Sequence, residues 1–171
     1  MPNILIVAGP NGAGKTTFAT RWINDSRPDY LFANADEIAR RLVEPGLSST
    51  ERDMRAGRIM LGRLDEHIAS SADIVLETTL SSRLYARRIP AWRAAGYRID
   101  LVYVRLVNVE ASIARVAHRV RMGGHNVPET DLRRRFDRSL ANLEVYKPLV
   151  DHWEVWESRQ GAISLIDRSP S

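Results

Sequence analysis

Gly9-Pro10-Asn11-Gly12-Ala13-Gly14-Lys15-Thr16-Thr17 has the spacing G-x-x-x-x-G-K-T. The run before it, Asn3 to Ala8, is apolar and β-branched beyond its first residue and reads as a strand. The run after it, Thr16 to Asn24, reads as a helix with Phe18, Trp22 and Ile23 available for one face. Strand, glycine-rich turn and helix start are the setting that a phosphate-binding loop requires. Glycines let the backbone wrap an anion with its N–H groups turned inward. All nine residues are therefore candidates for holding a nucleotide, with Lys15 expected at the β- and γ-phosphates and the Thr16 hydroxyl expected on Mg²⁺. The chain has only two lysines, Lys15 and Lys147, among 25 basic residues, so position 15 departs from a strong preference for arginine. A compact ammonium between phosphates is a physical reason for that departure.

A chain of 171 residues fits one domain with a proper core. With 44% hydrophobic and 27% charged residues it falls among globular and not disordered sequences. The absence of cysteine excludes disulfides, thiol catalysis and zinc–cysteine sites. No apolar run approaches the ~20 residues that span a bilayer. Met1-Pro2-Asn3 leads directly into the first strand without a signal-peptide pattern, so a cytoplasmic location is expected. A net charge of +4 and a pI near 9.8 suit polyanionic nucleotides. The charge is spread over helices and forms no basic tail, which argues against nucleic acid as the main partner.

Taken in order, further strands are expected at Tyr30–Asn34, Asp73–Glu77, within 97–106, at Trp153–Trp156 and, short and terminal, at Ala162–Ile166. Helices are expected at Ala35–Leu42, from Ser48 or Ser49 to Ala69, from Ser82 to Ala95, from Val109 to Met122 and from Glu129 or Thr130 to Leu143. In the long second of these, Met54, Ile59, Met60, Leu64 and Ile68 supply the apolar spacing. Strands alternating with helices predict a three-layer α/β fold over residues 1–171, with a mainly parallel sheet of five or six strands covered on both faces. In such sheets ligands sit beyond the carboxyl ends of the strands.

Three strand ends carry candidate chemistry. After the first comes the phosphate loop, after the second Asp36, after the third Glu77, Thr78 and Thr79. Phosphate ligands beside carboxylates form a minimum set for moving a phosphoryl group onto an alcohol. Asp36 is the candidate general base; it is equally well placed to cap the helix at 37–42, although Asn34 can serve as that cap instead. Glu77 can hold Mg²⁺ or the sugar of an acceptor. Residues 115–142 read as a helical lid: Arg115 and Arg119 share a helix face, Gly123-Gly124 offers a hinge, and Arg133, Arg134, Arg135 and Arg138 follow. Arg119 and Arg135 are the pair expected on the transferring phosphoryl group, while others are expected to be solvated. His125 reads as a loop residue, since no second metal ligand lies at the right spacing.

These pieces together resemble the zeta toxin family of P-loop kinases in its compact single-domain form. The matching segments are the loop at 9–17, Asn34-Ala35-Asp36-Glu37-Ile38, Glu77-Thr78-Thr79-Leu80-Ser81, Arg119-Val120 through Gly123-Gly124-His125-x-Val127-Pro128, and Arg134-Arg135-Phe136-x-Arg138-Ser139-Leu140-x-Asn142. The resemblance implies the P-loop NTPase fold, ATP and Mg²⁺ as cosubstrate and metal, and a nucleotide sugar such as UDP-N-acetylglucosamine as the small-molecule acceptor. It makes Asp36 the catalytic aspartate, Glu77 and Thr79 the acid-x-threonine that meets the nucleotide sugar, and the lid arginines ligands of the ATP phosphates. An antitoxin protein is the implied partner. Toxin-type members carry a larger substrate region than this chain holds. An antibiotic or nucleoside phosphotransferase and a polynucleotide kinase keep the fold and change the acceptor. A third class is an ATP-binding toxin or switch subunit held by a partner. Against it, neither the Asn-Lys-x-Asp pattern of guanine switches nor a Leu-Ser-Gly-Gly-Gln signature occurs.

Overall fold

The computed structural model describes residues 1–42, 44–124, 126–159 and 162–170. Strands β1 (Asn3–Ala8), β2 (Leu31–Asn34), β3 (Ile74–Thr78), β4 (Arg98–Arg105), β5 (His152–Arg159) and β6 (Ala162–Arg168) form one sheet in the order β2-β3-β1-β4-β5-β6. The first five pair in parallel and β6 runs antiparallel to β5. Strand β1 explains why its sequence does not alternate. Ile4, Ile6 and Ala8 face one core cluster and Leu5 and Val7 face the other, so both faces are covered and every position can be apolar.

Helices α1 (Lys15–Ser26), α2 (Ala35–Arg41), α3 (Ser49–Ala69), α4 (Ile89–Ala94), α5 (Val109–Arg121) and α6 (Glu129–Tyr146) cover the sheet. Phe18, Trp22 and Ile23 of α1 pack on the second cluster as their spacing predicts. Helix α3 starts with a capping box, in which the Ser48 side chain accepts from the Glu51 N–H and the Glu51 carboxylate accepts from Ser48. Its buried stripe is Ala56, Met60 and Leu64, while Met54 is 55% exposed and lies off that face.

Three expectations change. The helix expected over 82–95 is helical only at Ile89–Ala94, and 82–88 is a series of turns. Pro90 has no N–H to give to the Ala86 carbonyl and fits only the first turn of a helix, and the Ala86 N–H donates to the Tyr146 hydroxyl (3.0 Å) instead of to a helix carbonyl. Strand β5 extends from His152 to Arg159, well beyond 153–156, because residues 152–157 pair with β4 on one side and residues 154–159 with β6 on the other. The terminal strand is seven residues long and closes the sheet as an antiparallel edge.

For the site, the important feature is register. Ala8 is level with Thr78 and Asn34 with Glu77, so β1, β3 and β2 end side by side. The crossovers leaving β1 and β3 diverge at this edge, which opens a crevice there.

Candidate active site

The loop between β1 and α1 is held from behind. A Cβ on Gly9 would lie 2.1 Å from the Val104 carbonyl oxygen, so only glycine lets the loop leave β1 this close to β4. The Ser112 hydroxyl donates to the Asn11 carbonyl (2.6 Å), Arg115 Nη1 to the Gly12 carbonyl (3.2 Å), and Lys15 Nζ to the Pro10 carbonyl (3.0 Å). These bonds engage the loop carbonyls at 10–12, and the Ala13 N–H closes the turn onto the Pro10 carbonyl (3.2 Å). Helix α1 starts at Gly14 with no side-chain cap, which leaves its first amides available to an anion. Lys15 is buried, and desolvation pushes its ammonium pKa down; Glu77 and Asp36 oppose that shift and Arg119 adds to it.

Glu77, at the end of β3, is the hub of the acidic side. It accepts from Thr16 Oγ1 (3.0 Å to Oε1, 2.9 Å to Oε2) and from Asn34 Nδ2 (2.8 Å). Burial pushes its carboxyl pKa up, while Lys15 and the Thr16 hydrogen bond pull it down and Asp36 and Glu37 push it further up. The other end of the Asn34 amide accepts from the Asp36 N–H (2.8 Å), so Asn34 is the N-cap of α2. Asn34 does the capping, and the exposed Asp36 carboxylate lines the crevice. Among the described residues no group of three or more His, Cys, Asp or Glu could hold a metal. The adjoining oxygens of Thr16 and Glu77 still fit Mg²⁺, a hard cation that takes few protein ligands and completes its shell with phosphate and water.

Asp36 lies where three cavities meet. One, of about 300 Å³, follows the phosphate loop and adds Arg40, Arg115 and Arg119. A second, of about 120 Å³, is lined by Lys15, Glu77, Thr79, Tyr85 and Arg135. The third, of about 550 Å³, lies between α2, α3 and the end of α5. Arg119 and Arg135, the pair expected on the phosphoryl group, line different cavities, the first and the second of these, each of which also holds Lys15, Asp36 and Glu77. Arg119 borders the phosphate loop, whereas Arg135 faces Glu77 and Thr79 and reaches Asp53 of α3 (3.7 Å). Arg119 comes from the end of α5 and Arg135 from α6. Arg133 and Arg134 form exposed ion pairs with Glu129, Glu110 and Asp131. Arg115 braces the loop and also donates to Ser158 Oγ (2.8 Å). Gly123-Gly124 ends α5: their N–H groups bond Val120 O and Arg119 O (2.9 Å each), and a Cβ on Gly124 would lie 2.6 Å from Arg119 Cγ. This pair therefore serves as a helix stop wrapped over the Arg119 stem. His125 lies outside the described residues.

The turn after β3 is built differently from the phosphate loop. Leu80 is fully buried with φ +58, a left-handed conformation for a non-glycine residue. Its carbonyl accepts from Asn142 Nδ2 (2.8 Å), while Asn142 Oδ1 accepts from Arg83 Nε (3.2 Å). The Tyr146 hydroxyl donates to Ser82 O (3.0 Å). These contacts leave Thr79 beside Ser81, hydroxyl to hydroxyl at 2.9 Å. Sequence reading missed Ser112 and Tyr146, whose contacts are long-range, and Arg52; it had Asn142 only as part of a matching segment, without its bond to the Leu80 carbonyl. Arg40 had a local signal, since it follows Asp36 by one helical turn.

The AAA domain family model (AAA_33) matches residues 4–145. A protein of Haemophilus influenzae described as uncharacterized is 28% identical over 134 residues, covering 77% of this chain and 91% of that protein. Among solved structures, AvrRxo1-ORF1:-ORF2 with ATP superposes with a TM-score of 0.73 at 18% identity. The chain is 98% covered there but spans only 58% of that neighbour. The PezAT chromosomal toxin–antitoxin system of Streptococcus pneumoniae gives 0.74 at 14% identity, with 98% of this chain and 72% of that one covered. These likenesses show the fold, an α/β sheet of the P-loop kinase type. Among the described residues no helix is long and apolar enough to cross a membrane.

Proposed function

The chain belongs to the AAA domain family, and from that premise we propose that it is an ATP-dependent phosphotransferase acting on an alcohol. The observation that carries this reading is the Asp36 carboxylate, relieved of capping by Asn34 and lining both the phosphate-loop crevice and the cavity of Glu77 and Thr79. A carboxylate there can take the acceptor hydroxyl's proton as its oxygen bonds to the γ-phosphorus and the bond to the bridging oxygen breaks, releasing ADP. Lys15 and the uncapped amides at the start of α1 hold the β- and γ-phosphate charge, and Arg119 borders the same crevice. Thr16 and Glu77 would hold Mg²⁺, which neutralises developing phosphate charge when bound. Glu77, Thr79 and Arg135 would orient the acceptor, for which a nucleotide sugar such as UDP-N-acetylglucosamine fits the resemblance. The ATP of the AvrRxo1 neighbour supports ATP as donor. The toxin–antitoxin setting of PezAT supports a protein partner as a second reading.

The test is ³¹P NMR and mass spectrometry of a metabolite extract incubated with protein, ATP and Mg²⁺. A phosphomonoester should appear in step with ADP and be missing with Asp36→Asn. ATP loss with only inorganic phosphate as product, in every extract, would overturn the assignment.

A further inference from the structure

We propose that a pocket behind α2, outside the candidate active site, binds a small carboxylate of about one ring in size, and that this ligand braces the helix carrying Asp36. The proposal does not depend on the kinase reading. Helix α2 is a partition. At about 100° per residue, Asp36, Ala39 and Arg40 fall on one half of it and line the cavity that Thr16 also borders. Glu37, Ile38, Arg41 and Leu42 fall on the other half and line a pocket of about 170 Å³ against β2 and α3. Among the described residues, Lys15, Thr16, Asp36, Glu77 and Arg119 take no part in that pocket.

Walls and rim differ in chemistry. Phe32, Ile38, Leu42, Ile59 and Met60 make the walls apolar. Arg41 and Arg63 are exposed at the rim, with Glu37 as the opposing charge. Among the described residues neither guanidinium has a hydrogen bond or an ion pair, whereas Arg55 of the same α3 is paired with Glu44. Apolar walls with a few convergent polar groups are the usual make-up of a small-molecule site. A cavity of about 150 Å³ with such walls takes up one benzene ring, which sets the size of the ligand. Two positive charges against one negative leave an excess of one, which suits a singly charged carboxylate better than a phosphate dianion. Guanidinium forks match carboxylate oxygens. Asn34 connects this pocket to the active site. It is buried, lines the pocket, and is bonded through its amide both to Glu77 (2.8 Å) and to the Asp36 N–H (2.8 Å). A ligand packed on Ile38 and Leu42 binds α2 in this capped arrangement and so favours it over others.

NMR titration of the full chain at low salt tests this with benzoate, benzamide and inorganic phosphate as probes. Benzoate should bind with a Kd of about 1 mM or below. Benzamide, its neutral counterpart, should bind about 5-fold more weakly, a modest ratio because the rim is open to water. The shifts should centre on residues 32–42 and 59–67 and persist when the chain is saturated with a non-hydrolysable ATP analogue. Bound benzoate should also slow hydrogen exchange of the α2 amides. Arg41→Gln combined with Arg63→Gln should lower benzoate to the affinity of benzamide. Benzamide binding and Tm should stay near wild type, since neither side chain loses a partner among the described residues. Benzoate binding no tighter than benzamide, equally tight binding to the double variant, or no saturation by about 10 mM overturns the proposal. Displacement by inorganic phosphate or by the ATP analogue, with shifts centred on residues 9–17, also overturns it and assigns benzoate to the phosphate-loop crevice. Unchanged exchange in α2 overturns the bracing. Phosphotransfer enters none of these readouts, so failure of the kinase reading would leave the pocket to be decided on its own.

Discussion

The two turns that flank Asp36 solve one problem by opposite means. The phosphate loop bends through glycines, and the residues that tie it back, Ser112 and Arg115, act on its carbonyls from outside. The turn after β3 bends through a buried leucine at φ +58 and is held by Asn142 and Tyr146, about sixty positions further along the chain. The first turn is shaped by its own composition and the second by its clamp. A loop whose backbone must touch the ligand has to be free of side chains. A loop that presents Thr79 needs a fixed pose, and its buried leucine can carry a conformation costing about 1–2 kcal/mol because the packing around it holds.

If the comparison holds, damage to the first turn appears in nucleotide affinity, damage to the second in the acceptor's KM, and damage to Asp36 in neither. The largest effect is expected for Asp36→Asn, with kcat lower by about 10²–10⁴-fold and ATP affinity near wild type in a binding titration. Weakened ATP binding by that variant would move Asp36 to the nucleotide side. Next, Gly9→Ala should cost about 3 kcal/mol in chemical denaturation, since its Cβ meets the Val104 carbonyl at 2.1 Å, and should abolish nucleotide binding. Asn142→Ala and Ser112→Ala are the matched pair. Each leaves a buried carbonyl unpaired, at Leu80 and at Asn11 respectively, for about 1–3 kcal/mol. The first should raise the acceptor's KM and spare ATP, and the second should do the reverse. Identical kinetic profiles would erase the distinction between the turns.

The smallest effect concerns pH. Burial raises the Glu77 pKa, so the folded protein keeps that proton to higher pH than the unfolded chain does. The contribution to stability is full below the ordinary carboxylate range and is lost as pH rises through the folded-state value. Glu77→Gln should flatten the Tm profile across that window and melt above wild type at neutral pH while losing phosphotransfer. A wild type that melts above Glu77→Gln at neutral pH would show that Lys15 and Thr16 overcome the burial cost.

Legibility in the sequence follows the same division. The phosphate loop could be read because nine consecutive residues carry its spacing and its glycines. Asp36 and Glu77 could be found because a parallel sheet delivers ligands to its strand ends. The sheet class followed from the alternation of strands and helices. Leu80 could not be read, since nothing about a leucine announces a left-handed turn. Nor could its clamp, because Asn142 and Tyr146 lie on a helix whose period marks them only as inward-facing. The segment 82–88 looked helical for want of knowing that Tyr146 would capture the Ala86 N–H. The split between Arg119 and Arg135 depends on how α5 and α6 are set against the sheet, which no spacing within either helix encodes.

Arg115 joins Gly12 to Ser158 on β5, yet the matched family stretch stops at residue 145, ahead of that strand. A protein trimmed to the matched stretch would keep every proposed nucleotide ligand and the proposed base. It would also strip β4 of one of its two neighbours, leaving β1, and take away the Ser158 anchor of Arg115. The last two strands are thus a buttress to the front of the molecule, and shortening the chain from that end should loosen a grip formed more than a hundred residues earlier.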